Sequence, residues 1–305
     1  MSTNAIQSSH IYSTYFAPRG RSRIYTLGMQ IAQLYLSPFD QIIGFIGEAG
    51  SGKSVLIKGM FPGIELTNDD DGVNVPLLEQ EYETGFFTPH TYHLDIRFET
   101  GFHQLSELAD AVRLAVRRGK RIIIEHFDLI YPLLGVNANL LIGVGEQIVI
   151  TRPNLFGPLP QELCDIVYPS LAYRLMAHSA EDLCEYAMTQ EQMLACSHGD
   201  IRHGFVLEFS EHQPDIDIPT LEARVNELIR QDLPIDYYDE SHILLGGAQH
   251  YCTGPRTHVR STGRIIGFRL LDHFIYDHFH KTYMLVGCVG DDSEENIRKL
   301  ETIHG

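Results

Sequence analysis

The sequence has little positive charge, few cysteines and no long run of apolar residues, and each shortage excludes a class of protein. Its 305 residues include 23 lysines and arginines against 40 aspartates and glutamates, so the net charge is −17. The electrostatic field of such a chain repels nucleic acid and anionic membrane surfaces, so any polyanion must be held by a local basic site. We therefore expect neither duplex DNA nor a membrane among its partners.

The cysteines are odd in number, and no two of them form a C-x-x-C pair: Cys164, Cys184, Cys196, Cys252 and Cys288. This pattern is typical of reduced thiols in the cytosol rather than of a disulfide framework. No apolar run approaches the roughly 18 residues needed to span a bilayer. Residues 1–14 have neither the basic nor the apolar region of a signal peptide. We expect a cytoplasmic protein.

One segment carries a motif with a specific chemistry. Residues 41–54 read QIIGFIGEAGSGKS, and from Gly47 onward they match G-x-x-x-x-G-K-[ST] at every fixed position. The apolar residues before the motif predict a buried strand and those after it predict a helix, which is the context of a phosphate-binding P-loop. Lys53 would neutralise the β- and γ-phosphates, and the Ser54 hydroxyl would coordinate Mg²⁺. The alternative is a glycine-rich turn that binds nothing.

The backbone N–H groups of this loop and of the first helical turn are expected to surround a polyphosphate. The expected nucleotide-binding residues are Gly47, Ala49, Gly50, Ser51, Gly52, Lys53, Ser54 and Val55. The sequence has no Asn-Lys-x-Asp element that would recognise guanine. ATP is therefore the expected nucleoside triphosphate, with Mg²⁺ as its metal.

A P-loop enzyme needs an acidic residue at the end of a neighbouring strand to hold Mg²⁺ and its waters. Residues 122–128 read IIIEHFD, and Glu125 stands where the apolar strand ends. Glu125 is therefore the first candidate for this catalytic role, and Asp128 is the second. The aspartates at 69–71 could also hold a substrate hydroxyl or a metal-bound water. Any of these carboxylates could instead cap a helix or lie in solvent.

The order of predicted elements indicates two domains. In the first half, apolar strands at 42–46, 121–125 and 147–151 alternate with helical segments, which predicts an open α/β sheet with parallel strands. Prolines cluster just after these strands, so we place a P-loop nucleotide-binding domain at 1–160 and a second domain at 161–305. The second half mixes helices and strands in an α+β pattern.

The first half resembles the P-loop kinase branch that includes uridine kinases and related small-molecule kinases. The resemblance covers roughly residues 40–155 and is carried by the P-loop and by the apolar strand that ends in Glu125. It implies that Lys53 stabilises charge on the transferred phosphoryl group. It also implies that Glu125, or an acid among residues 69–71, acts as a base.

The second half contains a set of residues that suits a metal. Cys252 and His258 flank a glycine-containing turn, and a thiolate with an imidazole in one loop is half of a zinc site. His178 and Asp182 are four residues apart, so both can face the same way on a helix. Together they could bind Zn²⁺, although Cys252 and His258 could equally be packing residues.

Three segments of the second half resemble the second additional domain of alanyl- and threonyl-tRNA synthetases, which also occurs in freestanding alanyl-tRNA editing proteins. Residues 174–183 are similar to its His-x-x-x-His helix, residues 221–229 to its I-E-x-x-V-N-x-x-I helix, and residues 252–263 to its C-x-x-x-H-V-x-x-T-G turn. The likeness covers about 165–275. In that family the four ligands bind zinc, and the domain hydrolyses mischarged aminoacyl-tRNA.

The sequence departs from that family at two places. Asp182 stands where the family has its second histidine, and the Cys252–His258 spacing is two residues longer than the family pattern. Both departures suggest a changed metal or a lost site. Three arginines near the turn could contact a carboxylate, a phosphate or an RNA end, or could be a solvated basic turn: Arg256, Arg260 and Arg264.

The remaining histidines receive no functional role from the sequence. Those in the first half have no partner pattern: His90, His93, His103 and His126. His198 and His203 are five residues apart across a predicted turn and strand, which is a poor spacing for ligands of one ion.

The expected function is that of a two-domain enzyme. The P-loop domain would hydrolyse ATP or transfer its γ-phosphoryl group, and the C-terminal domain would recognise an aminoacyl-tRNA, an amino acid or a nucleoside. One alternative is a metal-dependent hydrolase of aminoacyl-tRNA type that is regulated by nucleotide. The other is a nucleotide-gated binding module without turnover.

Overall fold

The computed structural model describes residues 12–66, 78, 82, 90–210 and 212–304. The chain divides into two compact units, the first within Met1–Ala17 and Ser22–Pro169, the second within Pro18–Arg21 and Ser170–Gly305. The change between them after Pro169 falls inside helix α6 (Pro160–Ala187), whereas the sequence analysis places it near residue 160. Among the described residues, no helix is long and apolar enough to cross a membrane.

The first unit is built on a six-stranded sheet. Its strands are β1 (Ser13–Phe16), β2 (Ile42–Ile46), β3 (Thr91–Asp95), β4 (Arg121–Glu125), β5 (Leu140–Val144) and β6 (Gln147–Thr151). They lie in the order β1-β6-β5-β2-β4-β3. The four strands from β5 to β3 pair in parallel, so the carboxyl ends of β2, β3 and β4 meet at one edge of the sheet.

The expected parallel pairing does not extend to the strand at 147–151, because β6 pairs antiparallel with both β5 and β1. Only Gly145 and Glu146 connect β5 to β6. A two-residue connection can join antiparallel strands, whereas parallel neighbours need a crossover of a dozen or more residues. The sheet is therefore mixed.

Helices cover both faces of this sheet. They are α1 (Arg21–Tyr35), α2 (Lys53–Met60), α3 (Ile96–Glu99), α4 (Leu105–Arg117) and α5 (Phe127–Leu134). Alternate strand residues point to opposite faces, so Ile42 and Ile124 pack with α4 and α5 in one core. Ile43 and Ile123 pack with α1 and α2 in the other core. Helix α2, which follows the predicted P-loop, is thereby anchored to the sheet.

Helices α1 and α2 approach each other closely at two glycines. A Cβ atom on Gly59 would lie 2.2 Å from the Tyr25 carbonyl oxygen, and one on Gly28 would lie 2.5 Å from the Leu56 carbonyl oxygen. Both obstacles are backbone atoms, so relief would require one helix to move. The position of α2 therefore depends on both residues being glycine, which has no side chain.

We expect Gly59→Val to lower the free energy of unfolding by about 1–3 kcal/mol, because the new side chain overpacks this crossing. Urea denaturation followed by circular dichroism measures the change. Leu34→Ala, on the same α1 helix but 69% exposed, serves as the control and should shift stability by less than about 0.5 kcal/mol. A Gly59→Val protein as stable as the wild type would contradict the close crossing.

The second unit contains two antiparallel sheets. Its strands are β7 (Cys196–Ile201), β8 (Gly204–Ser210), β9 (Ile235–Asp239), β10 (His242–Leu245), β11 (Ala248–Tyr251), β12 (Arg269–Leu270), β13 (Ile275–Asp277) and β14 (Thr282–Cys288). One sheet has the order β12-β14-β8-β7 with β13 on β14, and the other has the order β11-β10-β9. The helices are α7 (Gln190–Ala195), α8 (Ile218–Arg230), α9 (Ser293–His304) and the C-terminal part of α6. One apolar core joins α6 and α8 to both sheets.

Candidate functional site

The loop that matches the P-loop motif connects β2 to α2 and has the backbone that its glycines permit. Gly50 and Gly52 have φ angles of 80° and 88°, in the left-handed region that glycine adopts without strain. Helix α2 begins at Lys53, directly after Gly52. The N–H groups of its first turn therefore point out of the helix end, where the helix dipole favours an anion.

Lys53 is buried against its own loop. Its Nζ donates hydrogen bonds to the carbonyl oxygens of Gly47 (2.9 Å) and Glu48 (3.1 Å). It also lies 3.7 Å from Glu125 Oε2. Burial lowers the pKa of Lys53, while the negative charge of Glu125 opposes that shift. The ammonium group is thus held at the loop, where a bound phosphate would favour its charged form.

Glu125, the first acid predicted from the sequence, lies beside the P-loop. Strand β4 pairs in parallel with β2, and Phe45 is opposite Glu125. The Ser54 hydroxyl donates to Glu125 Oε1 at 3.1 Å, and His93 Nε2 donates to the same oxygen at 3.2 Å. Burial alone would raise the pKa of Glu125, but the His93 hydrogen bond and the Lys53 charge lower it overall. Glu125 is therefore an ionised carboxylate that contacts the predicted magnesium ligand.

Asp128, the second candidate acid, has a different environment. It lies in the first turn of α5, where its Oδ2 accepts a hydrogen bond of 3.2 Å from the Tyr168 hydroxyl. Among the described residues, Asp128 forms neither a hydrogen bond nor an ion pair with Lys53 or Ser54. The third candidate, the aspartate run at 69–71, lies outside the described residues.

Other polar residues that the sequence patterns did not single out also lie at this edge of the sheet. Potential ligand atoms of Asp95, Glu125 and His126 lie within 4.8 Å of one another. Asp95 ends β3 and accepts hydrogen bonds from the first amides of α3. His126 has a left-handed φ of 57°; burial and the charges of Lys53 and Arg97 lower its pKa to about 4. The detectable signal was that Asp95, like Glu125, ends a strand.

The four residues predicted as metal ligands come together in the second unit. Cys252 Sγ lies 3.5 Å from His178 Nε2 and 3.2 Å from His258 Nε2. Asp182 lies 3.8 Å from His178 and 3.5 Å from His258, measured between carboxylate oxygens and Nε2 atoms. Zinc bonds of about 2.0–2.3 Å at tetrahedral angles place ligand atoms about 3.3–3.6 Å apart. The spacing therefore fits one zinc ion.

Hydrogen bonds orient both histidines of this set. His178 Nδ1 donates to the Thr257 carbonyl oxygen at 2.9 Å. His258 Nδ1 contacts the Ser179 hydroxyl at 3.3 Å, and that hydroxyl donates its own hydrogen to the Leu175 carbonyl oxygen. His258 Nδ1 must therefore be a donor. Each Nε2 keeps a lone pair directed at Cys252, as metal-binding histidines require.

The charges in this set also suit a cation. Burial, with His250, lowers the pKa of His258 to about 3, and burial lowers the pKa of His178, so both rings are neutral. Burial and the nearby charge of Glu181 raise the pKa of Asp182. Asp182 Oδ2 is buried and has no hydrogen-bond partner in the described part of the chain. A buried oxygen without a hydrogen bond, facing neutral imidazoles, is what a zinc ion would satisfy.

His198, which the sequence spacing led us to dismiss, belongs to a second group of potential ligands. Potential ligand atoms of Glu185, Cys196 and His198 lie within 4.8 Å of one another. Burial would lower the pKa of His198, but hydrogen bonds to Cys196 and Glu185 raise it to about 11. His203 instead stacks on Tyr173. The available signal was the Cys-x-His spacing, which puts both side chains on one face of a strand.

The three arginines near the Cys–His turn are all exposed: Arg256, Arg260 and Arg264. The Arg256 guanidinium lies 4.3 Å from the centre of the Tyr237 ring. That contact is a cation–π interaction on the surface. All five cysteines are free thiols.

Comparisons with known proteins do not identify the chain. No protein-family model matches it, and no curated protein matches it. A solved structure of the ornithine aminotransferase from Toxoplasma gondii ME49 is similar to it over 83% of this chain and 70% of that chain, at 10% identity and a TM-score of 0.22. A likeness at this TM-score carries no argument about fold or activity.

Proposed function

We propose that the chain binds MgATP at its P-loop and hydrolyses it or transfers its γ-phosphoryl group. The observation that supports this most is the 3.1 Å hydrogen bond from Ser54 to Glu125. In P-loop enzymes, the hydroxyl of this serine and an acid from a neighbouring strand together hold the magnesium. A magnesium site requires these two groups to be neighbours, whereas a glycine-rich turn that binds nothing does not require it.

Each residue of the site would have a separate task. The N–H groups of the first α2 turn would donate to phosphate oxygens, and Lys53 would exchange its two carbonyl partners for the β- and γ-phosphates. Ser54 and Glu125 would hold Mg²⁺, which neutralises charge on those phosphates when bound. His93 would keep Glu125 in position. The catalytic contribution would be positioning and charge stabilisation.

We propose that the second half of the chain recognises the molecule that accepts the phosphoryl group. An aminoacyl-tRNA, an amino acid or a nucleoside would be recognised there, in keeping with the resemblance to synthetase editing domains. A cytoplasmic location belongs to the same proposal. Phosphate release from ATP, measured with tRNA, amino acids and nucleosides in turn, would separate an enzyme from a nucleotide-gated module without turnover.

Glu125→Gln tests the magnesium role. We expect it to reduce Mg²⁺ affinity in the nucleotide complex by about 10- to 100-fold, while ATP binding without Mg²⁺ changes little. Titration calorimetry with and without Mg²⁺ measures both quantities. Asp110→Asn, an exposed acid on α4, is the control, and Asp128→Asn should have the smaller effect of the two candidate acids. Equal Mg²⁺ affinity in wild type and Glu125→Gln would rule out the proposed role.

A second candidate function is favoured by the set His178, Asp182, Cys252 and His258. These residues would hold zinc, and a zinc ion with an open coordination position can activate water for hydrolysis. Four protein ligands, however, complete a tetrahedral site, which is the arrangement of structural zinc. Hydrolysis of an aminoacyl ester would therefore need either the loss of one ligand or another metal position.

A further inference from the structure

A second cluster of metal-binding side chains lies in the same unit. Glu185 projects from α6, and Cys196 and His198 are alternate residues of β7, so their side chains share one strand face. Cys196 Sγ is 3.5 Å from Glu185 Oε1, and His198 Nε2 contacts the same oxygen. One cysteine, one histidine and one carboxylate thus converge at distances that a single ion can bridge.

This cluster continues the first one along α6. His178, Asp182 and Glu185 are spaced by four and then three residues, so they follow one face of the helix. His250 joins the two clusters, because potential ligand atoms of Asp182, Glu185 and His250 lie within 4.8 Å of one another. The four-ligand set and the three-ligand set are therefore neighbours with separate ligands.

The oxygens of Glu185 face different imidazoles. Oε1 contacts His198, whereas Oε2 lies 3.7 Å from His250 Nε2. His250 is 8% exposed, and its Nε2 has no hydrogen-bond partner within the described residues. A buried imidazole nitrogen without a hydrogen bond, beside a carboxylate, shows that the polar groups here do not fully satisfy one another. The hydrogen bonds among the described residues therefore do not account for this nitrogen, and a water or ion beside Glu185 would.

The cluster also lines a cavity. A cavity of about 180 Å³ is lined by residues of both sets, among them Asp182, Glu185, Cys196, His198 and Cys252. The His198 side chain is 26% exposed, whereas the side chains of His178 and His258 are 2% and 4% exposed. An ion at the second cluster could therefore exchange a ligand with the cavity.

We propose that Glu185, Cys196 and His198 form a second zinc site, whose fourth position faces the cavity and accepts water or an oxygen or nitrogen donor of a substrate. Thiolate, imidazole and carboxylate are all zinc ligands, and three protein ligands with one open position are the pattern of catalytic zinc. The four-ligand set would then stabilise the fold, and the three-ligand set would bind the exchangeable group. Binding of this ion stands on its own residues; only its use in hydrolysis rests on the second candidate function.

Cobalt titration of the 305-residue chain tests the proposal, because each site contains one cysteine. Bound Co²⁺ with a thiolate ligand shows a charge-transfer absorption that disappears when its cysteine is replaced. We expect two Co²⁺ ions per chain in the wild type, one in Cys196→Ala, one in Cys252→Ala, and two in the control Cys288→Ala. Imidazole added to the cobalt protein should alter the spectrum of Cys252→Ala and leave that of Cys196→Ala unchanged.

The outcomes separate the two sites. A single ion that is lost in Cys252→Ala and kept in Cys196→Ala would overturn the second site while leaving the first. A single ion lost only in Cys196→Ala would support the second site and remove the first. His198→Gln provides an independent variant, and it should lose the same ion as Cys196→Ala with circular dichroism unchanged. An unaltered count of two ions in both variants would show that Glu185, Cys196 and His198 only form a hydrogen-bonded network.

Discussion

Lys53→Ala is expected to weaken MgATP binding by about 2–5 kcal/mol, which is more than about 30-fold in Kd. The lost interaction is a buried ammonium that would face the β- and γ-phosphates, and no smaller side chain can replace its charge. Its present partners are carbonyl oxygens of the loop and the buried Glu125 carboxylate 3.7 Å away, so the ligand-free variant also loses some stability, because Glu125 keeps its burial without this positive charge. Calorimetric titration with ATP and Mg²⁺ measures the effect.

Lys58→Ala provides the matched control, since Lys58 lies in the last turn of the same α2 helix. We expect it to leave the Kd for MgATP unchanged within about twofold, because the helix end near Lys58 carries no phosphate-binding role. Thermal unfolding of both variants without nucleotide would show that they fold. If Lys53→Ala binds MgATP as tightly as wild type, the phosphate site is not at this loop.

The second large effect is expected from the four-ligand set. Zinc that binds only the folded protein stabilises it by about 4 kcal/mol when free zinc is about 1,000 times the Kd. Cys252→Ala removes the cysteine sulfur that contacts both imidazoles, so the part of the zinc-dependent gain that comes from this four-ligand set should be lost. Thermal unfolding in a zinc buffer series, with a chelator at one end, measures the difference.

Cys288→Ala is the control for that experiment. Cys288 is also a buried cysteine of the second unit, but it packs in an apolar cluster with Val206 and Val286. Its replacement should lower the stability slightly and leave the dependence on zinc as in the wild type. Equal zinc dependence in Cys252→Ala and wild type would mean that the four side chains only pack together.

The P-loop residues and Glu125 could be predicted because their signals are local. The motif from Gly47 to Ser54 is contiguous, and the glycines within it set the backbone conformation of the loop. It can therefore be recognised without knowing the rest of the fold. Glu125 was identifiable because it ends an apolar strand, and parallel strands bring such ends to one edge. The sequence could only rank Glu125 and Asp128, whereas in the structure Glu125 contacts Ser54 and Asp128 contacts Tyr168.

The other residues of the nucleotide edge depend on strand order. His93 and Asp95 lie on β3, which becomes the neighbour of β4 although helices α3 and α4 separate the two strands along the chain. No property of the histidine or the aspartate alone predicts that pairing. The same limit applies to β6, whose antiparallel pairing is decided by its short connection to β5.

In the second unit, too, some site residues were predicted from short sequence segments, whereas others come together only in the folded chain. The helix spacing of His178 and Asp182 and the turn from Cys252 to His258 suggested one ligand set, through patterns that lie within short segments. The sequence by itself thus determined the strand, loop and helix around residues 47–54, the acid at the end of β4 and the four candidate zinc ligands that lie together. Only the tertiary structure brought Glu185 of α6 to Cys196 and His198 of β7 and placed Asp95 beside Glu125. Those contacts join distant segments, and packing of the core decides them rather than any local motif.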